Sequence, residues 1–271
     1  MIMKELSIDE IKKIQLDILC SVDLFCNERG LRYSLAYGTL IGAVRHNGYI
    51  PWDDDIDIMM PRNDYDVFVS SFNGVIDNLC VMAPELNWDY YAPYANVYDK
   101  RTLLIEKNNS HRGFEIGVKI DIFPMDDVIE EYQEYVKCYN KSKLYNRQLF
   151  AKRINLKKII KIDFKQGIIM LIEKVVSCVL SYHKLQKKIK ALTNKSEESK
   201  YVDNIVFPVY KLTRIRKEIL TNYIKLMFEN HEFMAIEKYD IYLKTIYGDY
   251  MALPPEEKRV PHHHFKAYWL D

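Results

Sequence analysis

The chain has 271 residues, of which 48% are hydrophobic and 28% are charged, as in ordinary soluble globular proteins. Its 39 basic and 38 acidic residues nearly balance, which excludes a bulk polyanion binder, so no nucleic-acid partner is predicted. Five cysteines without a Cys-x-x-Cys pair indicate free thiols. With no amino-terminal signal segment and no apolar run of about 18 residues, a cytoplasmic protein is predicted.

Hydrophobic periodicity predicts the elements of the first half of the chain. They are a helix over residues 8–29, a strand over 31–37, a short helix over 40–45, a strand over 55–60, a helix over 62–72 and a strand over 118–123. Ser7 and Glu10 form a capping-box pattern at the first helix, and Gly30 is its stop signal. Pro61 and Pro124 are expected to end the two later strands.

The second half of the chain is predicted to be mostly helical. Residues 129–195 read as helices, 201–207 as a short strand or loop, 214–248 as further helical stretches, and 249–271 as an irregular tail. The whole pattern favours an α+β fold, in which helices flank a mixed-sheet core and a mostly helical middle and carboxyl-terminal extension follows.

Charge is distributed unevenly along the chain. Residues 1–140 carry 13 basic and 24 acidic side chains, whereas residues 141–195 carry 15 basic and 2 acidic ones. Broad apolar runs accompany these lysines. This composition suits either a helical bundle whose lysines form a solvent-exposed face or a peripheral contact with the inner face of an anionic membrane.

An acidic run precedes and enters the second predicted strand. Alternate side chains of a strand share a face, so Asp55 and Asp57 point the same way, Asp53 can fall in line, and Asp54 points away. Several carboxylates on one face repel each other unless a cation lies between them. The pattern predicts a divalent ion with oxygen ligands, Mg²⁺ or Mn²⁺, although a solvated loop would also carry such a run.

A further carboxylate lies on the third predicted strand. There Lys119, Asp121 and Phe123 share one face, and a buried acid at the centre of a strand needs a partner. If the two strands are neighbours, Asp121 joins Asp55 and Asp57. A calcium loop is excluded, because its glycine position holds Ile58 and its final glutamate position holds Asp64.

The segment before the acidic run has the character of a phosphate-binding turn. Gly38 stands where the first strand gives way to a helix, and a glycine there lets backbone amides approach a phosphate. Thr39 adds a hydroxyl, and Arg45 and His46 add charge near the same place. Together with the acids, the turn predicts a site for displacement at phosphorus.

At these residues the chain resembles the LicD family. The motifs GTLIGAVRHNGYIPWDDDIDIMMPRNDYDVF, VKIDIFPMDD and YGDYMALPPEEKRVPHH carry the resemblance, which covers about residues 31–127 and 233–264. It implies a nucleotidyltransferase-like core over residues 1–130, a helical basic extension over 131–232 and a segment over 233–271 that packs back on the core. It also implies phosphocholine transfer from CDP-choline to a glycan hydroxyl, with release of CMP.

The resemblance also implies roles for particular residues. Asp55, Asp57 and Asp121 correspond to metal ligands, and Asp53 to a further ligand or the general base. Residues implied to contact substrate are Gly38, Thr39, Arg45, His46, Trp52 and Lys100. The implied acceptor is a lipid-linked or polymer glycan, such as a lipopolysaccharide or teichoic-acid precursor.

Several alternatives stay open at this point. The donor could be another CDP-alcohol carrying glycerol or ribitol, or the reaction could be nucleotidyl transfer with the same carboxylates. A quaternary ammonium such as choline is bound by aromatic faces and carboxylates. Aromatic candidates near the motifs are Trp52, Tyr90, Tyr91, Tyr94 and Trp269.

Overall fold

A computed structural model describes residues 4–106, 115–153, 164–193, 199–208, 212–260 and 265–270. The predicted α+β class is confirmed, since a curled mixed sheet is flanked by seven helices in this part of the chain. The helices are α1 (Ile8–Arg29), α2 (Tyr37–His46), α3 (Arg62–Ser71), α4 (Tyr132–Arg153), α5 (Phe164–Val179), α6 (Tyr182–Lys190) and α7 (Tyr239–Tyr247).

Eleven strands and two short 3₁₀ helices complete the described structure. The strands are β1 (Ser34–Leu35), β2 (Asp57–Pro61), β3 (Leu79–Met82), β4 (Ala95–Asp99), β5 (Thr102–Glu106), β6 (Lys119–Asp127), β7 (Tyr201–Asp203), β8 (Ile215–Arg216), β9 (Tyr223–Phe228), β10 (His231–Ile236) and β11 (Phe265–Trp269). The 3₁₀ helices are Lys217–Leu220 and Glu256–Lys258.

The main sheet places β2 and β6 at its centre. Its strand order is β1-β2-β6-β4-β3, and β7 and β8 extend it from the far end of β6. Only β2 and β6 are paired in parallel among the described strands, and the parallel register sets Asp57 beside Asp121. Two smaller units, the β9–β10 hairpin and the β5–β11 pair, are separate sheets.

The first helix forms as predicted from its cap signals. The Ser7 hydroxyl accepts a hydrogen bond from the Glu10 amide, the Glu10 carboxylate accepts one from the Ser7 amide, and Gly30 ends the helix at φ 65°. The inward face of α1 buries Ile18, Leu19 and Val22 among others, and α1 packs on β4 and β6. The helix thereby covers one face of the sheet that carries the acids.

Three element boundaries near the acids differ from the prediction. The first strand is only Ser34–Leu35, and α2 already begins at Tyr37, because Ala36 at the end of the strand is its N-cap. The second strand begins at Asp57 rather than at residue 55, after an irregular segment. Pro124 does not end β6. Proline has no amide hydrogen to donate to a neighbouring strand, and β4 pairs with β6 only as far as Ile122, before the proline.

Residues 214–248 contain helical stretches, as predicted, but most of this segment is not helical. These residues form β8, a 3₁₀ turn and the β9–β10 hairpin before α7, which ends at Gly248 as expected. The hairpin turn is formed by Glu229 and Asn230, whose φ angles are 50° and 64°. The tail is not wholly irregular either, because β11 pairs with β5.

The helical prediction for residues 129–195 is confirmed by α4, α5 and α6, apart from 154–163 and 194–195, which lie outside the described residues. A second hydrophobic cluster, which includes Tyr135, Leu149, Leu185 and Ile189, holds α4 against α6. No helix in the described part of the chain has both the length and the apolar character needed to cross a bilayer.

Candidate active site

Four carboxylates meet where β2 and β6 run side by side. Asp57 is the first residue of β2 and lies beside Asp121 in the parallel register. Asp53 and Asp55 lie in the segment that leads into β2 and are close enough to raise the pKa of Asp57 electrostatically. The structure therefore places Asp53, Asp55 and Asp121 within electrostatic range of Asp57, while the described acids whose oxygens could share one ion are Asp53, Asp54 and Asp55.

Asp57 is fixed through its backbone. Its amide donates a hydrogen bond to the Thr39 hydroxyl oxygen, 2.8 Å away, which ties the start of β2 to the first turn of α2. Burial, followed by the negative charges of Asp55, Asp121 and Asp53, raises the pKa of the Asp57 carboxyl well above its usual range.

The three consecutive acids Asp53, Asp54 and Asp55 form a compact group. Each offers an oxygen, and these oxygens lie within 4.8 Å of one another. The prediction that Asp54 points away is wrong, because strand alternation begins only at Asp57 and the preceding segment is irregular. Burial and the neighbouring Asp55 charge raise the pKa of Asp53 to about 7.

Asp121 is held by three side chains, of which Asn96 was not named in the sequence analysis. The Lys119 ammonium forms an ion pair with its carboxylate, the Asn96 side-chain amide donates to it, and the Tyr94 hydroxyl donates at 3.3 Å. Asn96 lies beside Asp121 on β4 and is completely buried. A buried amide in the middle of an apolar strand is the signal that could have indicated it.

The donor set fits a hard divalent cation. It consists of carboxylate oxygens, which are the ligands that Mg²⁺ and Mn²⁺ prefer, and the four acids are partly rather than fully buried. Lys119 lowers the pKa of Asp57, but its ammonium is already paired with Asp121. Burial first, and then repulsion between the acids, raises the pKa values of Asp53 and Asp57, and a bound cation would relieve that repulsion.

The start of α2 adjoins the acids. A Cβ at Gly38 would lie 2.6 Å from an Asp53 carboxylate oxygen, so glycine is what lets Asp53 approach the helix. Ala36 makes no side-chain hydrogen bond to the first turn of α2, and the amino-terminal end of a helix favours an anion. Thr39 is buried, and its oxygen accepts from the Asp57 amide. A direct Thr39–phosphate contact stays a prediction.

The other predicted substrate contacts are placed unequally. Arg45 donates to the Tyr250 carbonyl at 2.7 Å and to His46 at 2.9 Å, so it anchors the carboxyl-terminal segment on α2. Trp52 lies just before the acidic run, and the Arg259 guanidinium lies over its ring. Lys100 is exposed beyond the end of β4, about 13 Å along the strand from Asn96, and is not brought to the acids.

Comparison with known proteins identifies the family of the chain. The family model for "LicD/FKTN/FKRP, nucleotidyltransferase domain" matches residues 30–165. The lipopolysaccharide cholinephosphotransferase LicD of Haemophilus influenzae is 31% identical over 282 aligned positions, which cover 99% of this chain and 100% of that protein. Uncharacterized proteins of Rickettsia prowazekii and Rickettsia typhi are each 49% identical over 37 residues, which cover 14% of this chain and 14% and 12% of theirs. The chain therefore belongs to the LicD family.

Proposed function

We propose that this chain transfers phosphocholine from CDP-choline to a sugar hydroxyl of a cell-surface glycan precursor and releases CMP. One observation carries the choice of phosphocholine, namely end-to-end similarity to a lipopolysaccharide cholinephosphotransferase at 31% identity. The cluster of carboxylates beside an uncapped helix start supports displacement at phosphorus as the chemistry.

The proposed reaction assigns separate tasks to the residues of the site. Asp55, Asp57 and Asp121 would hold Mg²⁺ or Mn²⁺, which when bound supplies positive charge that polarises the phosphoryl group. The amides at Gly38 and Thr39 orient the donor phosphates through the start of α2. Asp53 accepts the proton of the acceptor hydroxyl as its oxygen bonds to the choline-bearing phosphorus. The bond from this phosphorus to the CMP oxygen breaks, and CMP leaves with the electron pair.

Binding calorimetry of CDP-choline, CDP-glycerol and CDP-ribitol, each with Mg²⁺ and with EDTA, tests this assignment. Metal-dependent binding of CDP-choline in preference to the other two would support phosphocholine transfer. Preference for CDP-glycerol or CDP-ribitol would move the proposal to transfer of that phospho-alcohol. No metal-dependent binding of any of the three would overturn the proposed donor class.

We also propose that the chain makes a peripheral contact with an anionic membrane through residues 141–195, where lipid-linked glycans would be found. Helix α5 supports this contact, because polar side chains of this helix face the protein and apolar ones face outward. Lys174 and Ser177 are buried against the protein, and the Lys174 ammonium donates to the Lys152 carbonyl at 2.8 Å. Apolar side chains point outward instead, namely Ile168, Leu171, Ile172, Val175, Val176 and Val179.

The charge around α5 complements an anionic lipid surface. Residues 141–195 carry 15 basic and only 2 acidic side chains, and an exposed apolar face with neighbouring lysines is typical of helices that lie in the membrane interface. Val175 and Val179 are 62% and 80% exposed, so lipid could reach them without unfolding the helix. A bilayer that carries anionic headgroups is therefore the proposed occupant of this face.

Co-sedimentation with vesicles tests the membrane contact. The protein is expected to bind vesicles of phosphatidylcholine with phosphatidylglycerol more strongly than vesicles of phosphatidylcholine alone, and V175N/V179N is expected to lose this binding. Val67→Asn on α3 is the matched control, since Val67 is an exposed valine of another helix. Equal sedimentation of V175N/V179N and the unchanged protein would overturn the proposal.

A further inference from the structure

A cavity lies beside the acidic cluster and is not part of it. It is open on one side, and the space between its walls is about 330 Å³ when the solvent at its mouth is included. Its walls include four aromatic rings, a carboxylate and an amide, namely Tyr37, Tyr139, Phe207, Tyr242, Asp203 and Asn204. We call it the Asp203 cavity.

The carboxylate of this cavity has neutral partners in the described part of the chain. Asp203 is 8% exposed, accepts a hydrogen bond from the Tyr135 hydroxyl at 2.7 Å and accepts another from the Asn204 amide at 2.8 Å. Among the described residues, no lysine, arginine or histidine nitrogen comes within ion-pair distance of it. Burial raises the pKa of Asp203 to about 6. A buried acid of this kind is suited to a cation that comes from a ligand.

The aromatic walls are held in place by backbone and ring contacts. Tyr37 has a φ of 47°, an unusual conformation for a bulky residue, and Asn204 donates to its hydroxyl at 3.0 Å. The Tyr37 and Tyr242 ring centroids are 6.2 Å apart. The cavity therefore combines aromatic side chains with one carboxylate.

The same aromatic cluster connects the cavity with the acids. The Tyr37 ring packs edge-on against Phe123 with 5.3 Å between centroids, and Phe123 lies two residues after Asp121 on β6. Tyr94 donates to Asp121, and its ring lies 4.9 Å from that of Phe207. Tyr37 also directly precedes Gly38 at the start of α2. Tyr37 is therefore both a wall residue of the cavity and the neighbour of the proposed phosphate-binding glycine.

We propose that the Asp203 cavity binds the quaternary ammonium end of the donor, an inference that rests on the proposed function. A trimethylammonium group has no N–H to donate, so ring faces and one nearby carboxylate are what it needs. The five candidates from the sequence are not walls of this cavity. Tyr90 is completely buried, Trp269 lies on β11, and Tyr94 contacts the cluster from outside.

Calorimetry on the full chain tests the cavity, with CDP-choline, CMP and tetramethylammonium as probes. Asp203→Asn is expected to weaken CDP-choline binding by about tenfold or more, because the charge facing the ammonium is lost, and to leave CMP binding unchanged. Phe207→Leu removes one ring face of a half-buried residue and is expected to act in the same direction. Asp127→Asn is the matched control, since Asp127 lies nearby on β6 and pairs with Lys217.

The possible outcomes distinguish failure of the cavity proposal from failure of the proposed phosphocholine transfer. If Asp203→Asn and Phe207→Leu bind CDP-choline as the unchanged protein does, the cavity proposal is overturned and the proposed function stands. The cavity is likewise overturned if the unchanged protein binds CDP-choline no better than CMP. If the unchanged protein binds neither CDP-choline nor tetramethylammonium, both proposals fall.

Discussion

At the scale of single residues, Asp57 shows how the backbone and the charge of the site oppose each other. The Thr39 hydroxyl fixes its amide at the start of β2, and the parallel register sets it beside Asp121. Burial, together with the negative charges of Asp55, Asp121 and Asp53, meanwhile raises the pKa of its carboxyl group. The residue is thus held in a position that is electrostatically costly until a cation binds.

Asp57→Asn should separate activity from stability. We expect turnover to fall by about two orders of magnitude or more, because a proposed metal ligand is lost. In EDTA the thermal midpoint should stay the same or rise, since one of several repelling charges is removed. Asp66→Asn on α3 is the control, because Asp66 is half exposed and outside the cluster. Turnover of Asp57→Asn equal to that of the control would contradict the assigned site.

Gly38→Ala tests the close approach of α2 to the acids. The added Cβ would meet the Asp53 carboxylate at 2.6 Å, so we expect Asp53 to be displaced and activity to fall by about tenfold or more. Gly74→Ala is the control, since Gly74 has a φ of 83° and open space around it, so an added Cβ strains the backbone without a clash. That control should cost stability but no activity. Steady-state kinetics and thermal melts of both variants decide the matter.

At the scale of elements, the features that could be predicted are those that a short stretch of sequence determines. The capping box and glycine stop of α1 are local signals, and the alternation around Asp121 set Lys119 on the same face, where the two form an ion pair. The β5–β11 pair joins segments from distant parts of the chain, and no periodicity reports such a pairing. The cavity walls likewise come from α2, α4, α7 and the segment after β7, so only the fold brings them together.

The β9–β10 hairpin was missed because its turn lacks the usual glycine. Glu229 and Asn230 adopt left-handed φ angles, a conformation in which Asn is tolerated and Glu is rare. A tertiary contact fixes the turn, because the Glu229 carboxylate accepts from the Tyr49 amide at 3.0 Å and the Glu229 amide donates to the Asn47 carbonyl. Local preference alone therefore favoured a helix there.

Substitution of Asn230 measures the strain in that turn. Asn230→Ala should lower the free energy of unfolding by about 1 kcal/mol, because alanine disfavours the left-handed region. Asn230→Gly should be close to neutral, since glycine adopts this φ readily. Chemical denaturation of the two variants checks the order. A greater loss for glycine than for alanine would show that the turn is not the source of the effect.

At the scale of the whole molecule, charge is sorted by function. The acidic amino-terminal part contains the proposed cation site, the apolar face of α5 is exposed within the basic residues 141–195, and the acid of the Asp203 cavity lies on β7 beside the far end of β6. Each region is proposed to meet a different part of the reaction: the phosphates, the membrane-linked acceptor and the ammonium group.

The pH dependence of unfolding should report Asp203. Burial raises its folded pKa to about 6 from an ordinary value of 3.8, so the folded state holds its proton more tightly. The contribution of Asp203 to the free energy of unfolding is therefore fully present below about pH 4 and is lost as the pH rises through about 6. Relative to the unchanged protein, Asp203→Asn should gain about 2–3 kcal/mol between pH 4 and pH 7. Denaturation of both proteins across this range would contradict the account if the difference stayed constant.

A transfer assay with two labels on CDP-choline, one on the choline methyl groups and one on the cytidine, tests the central claim most directly. The protein is incubated with Mg²⁺ and with lipopolysaccharide from which choline phosphate has been removed. The account predicts that the choline label moves to the glycan while the cytidine label appears in free CMP. Cytidine label on the glycan would show nucleotidyl transfer instead, and intact CDP-choline with an unlabelled glycan would contradict the assigned function outright.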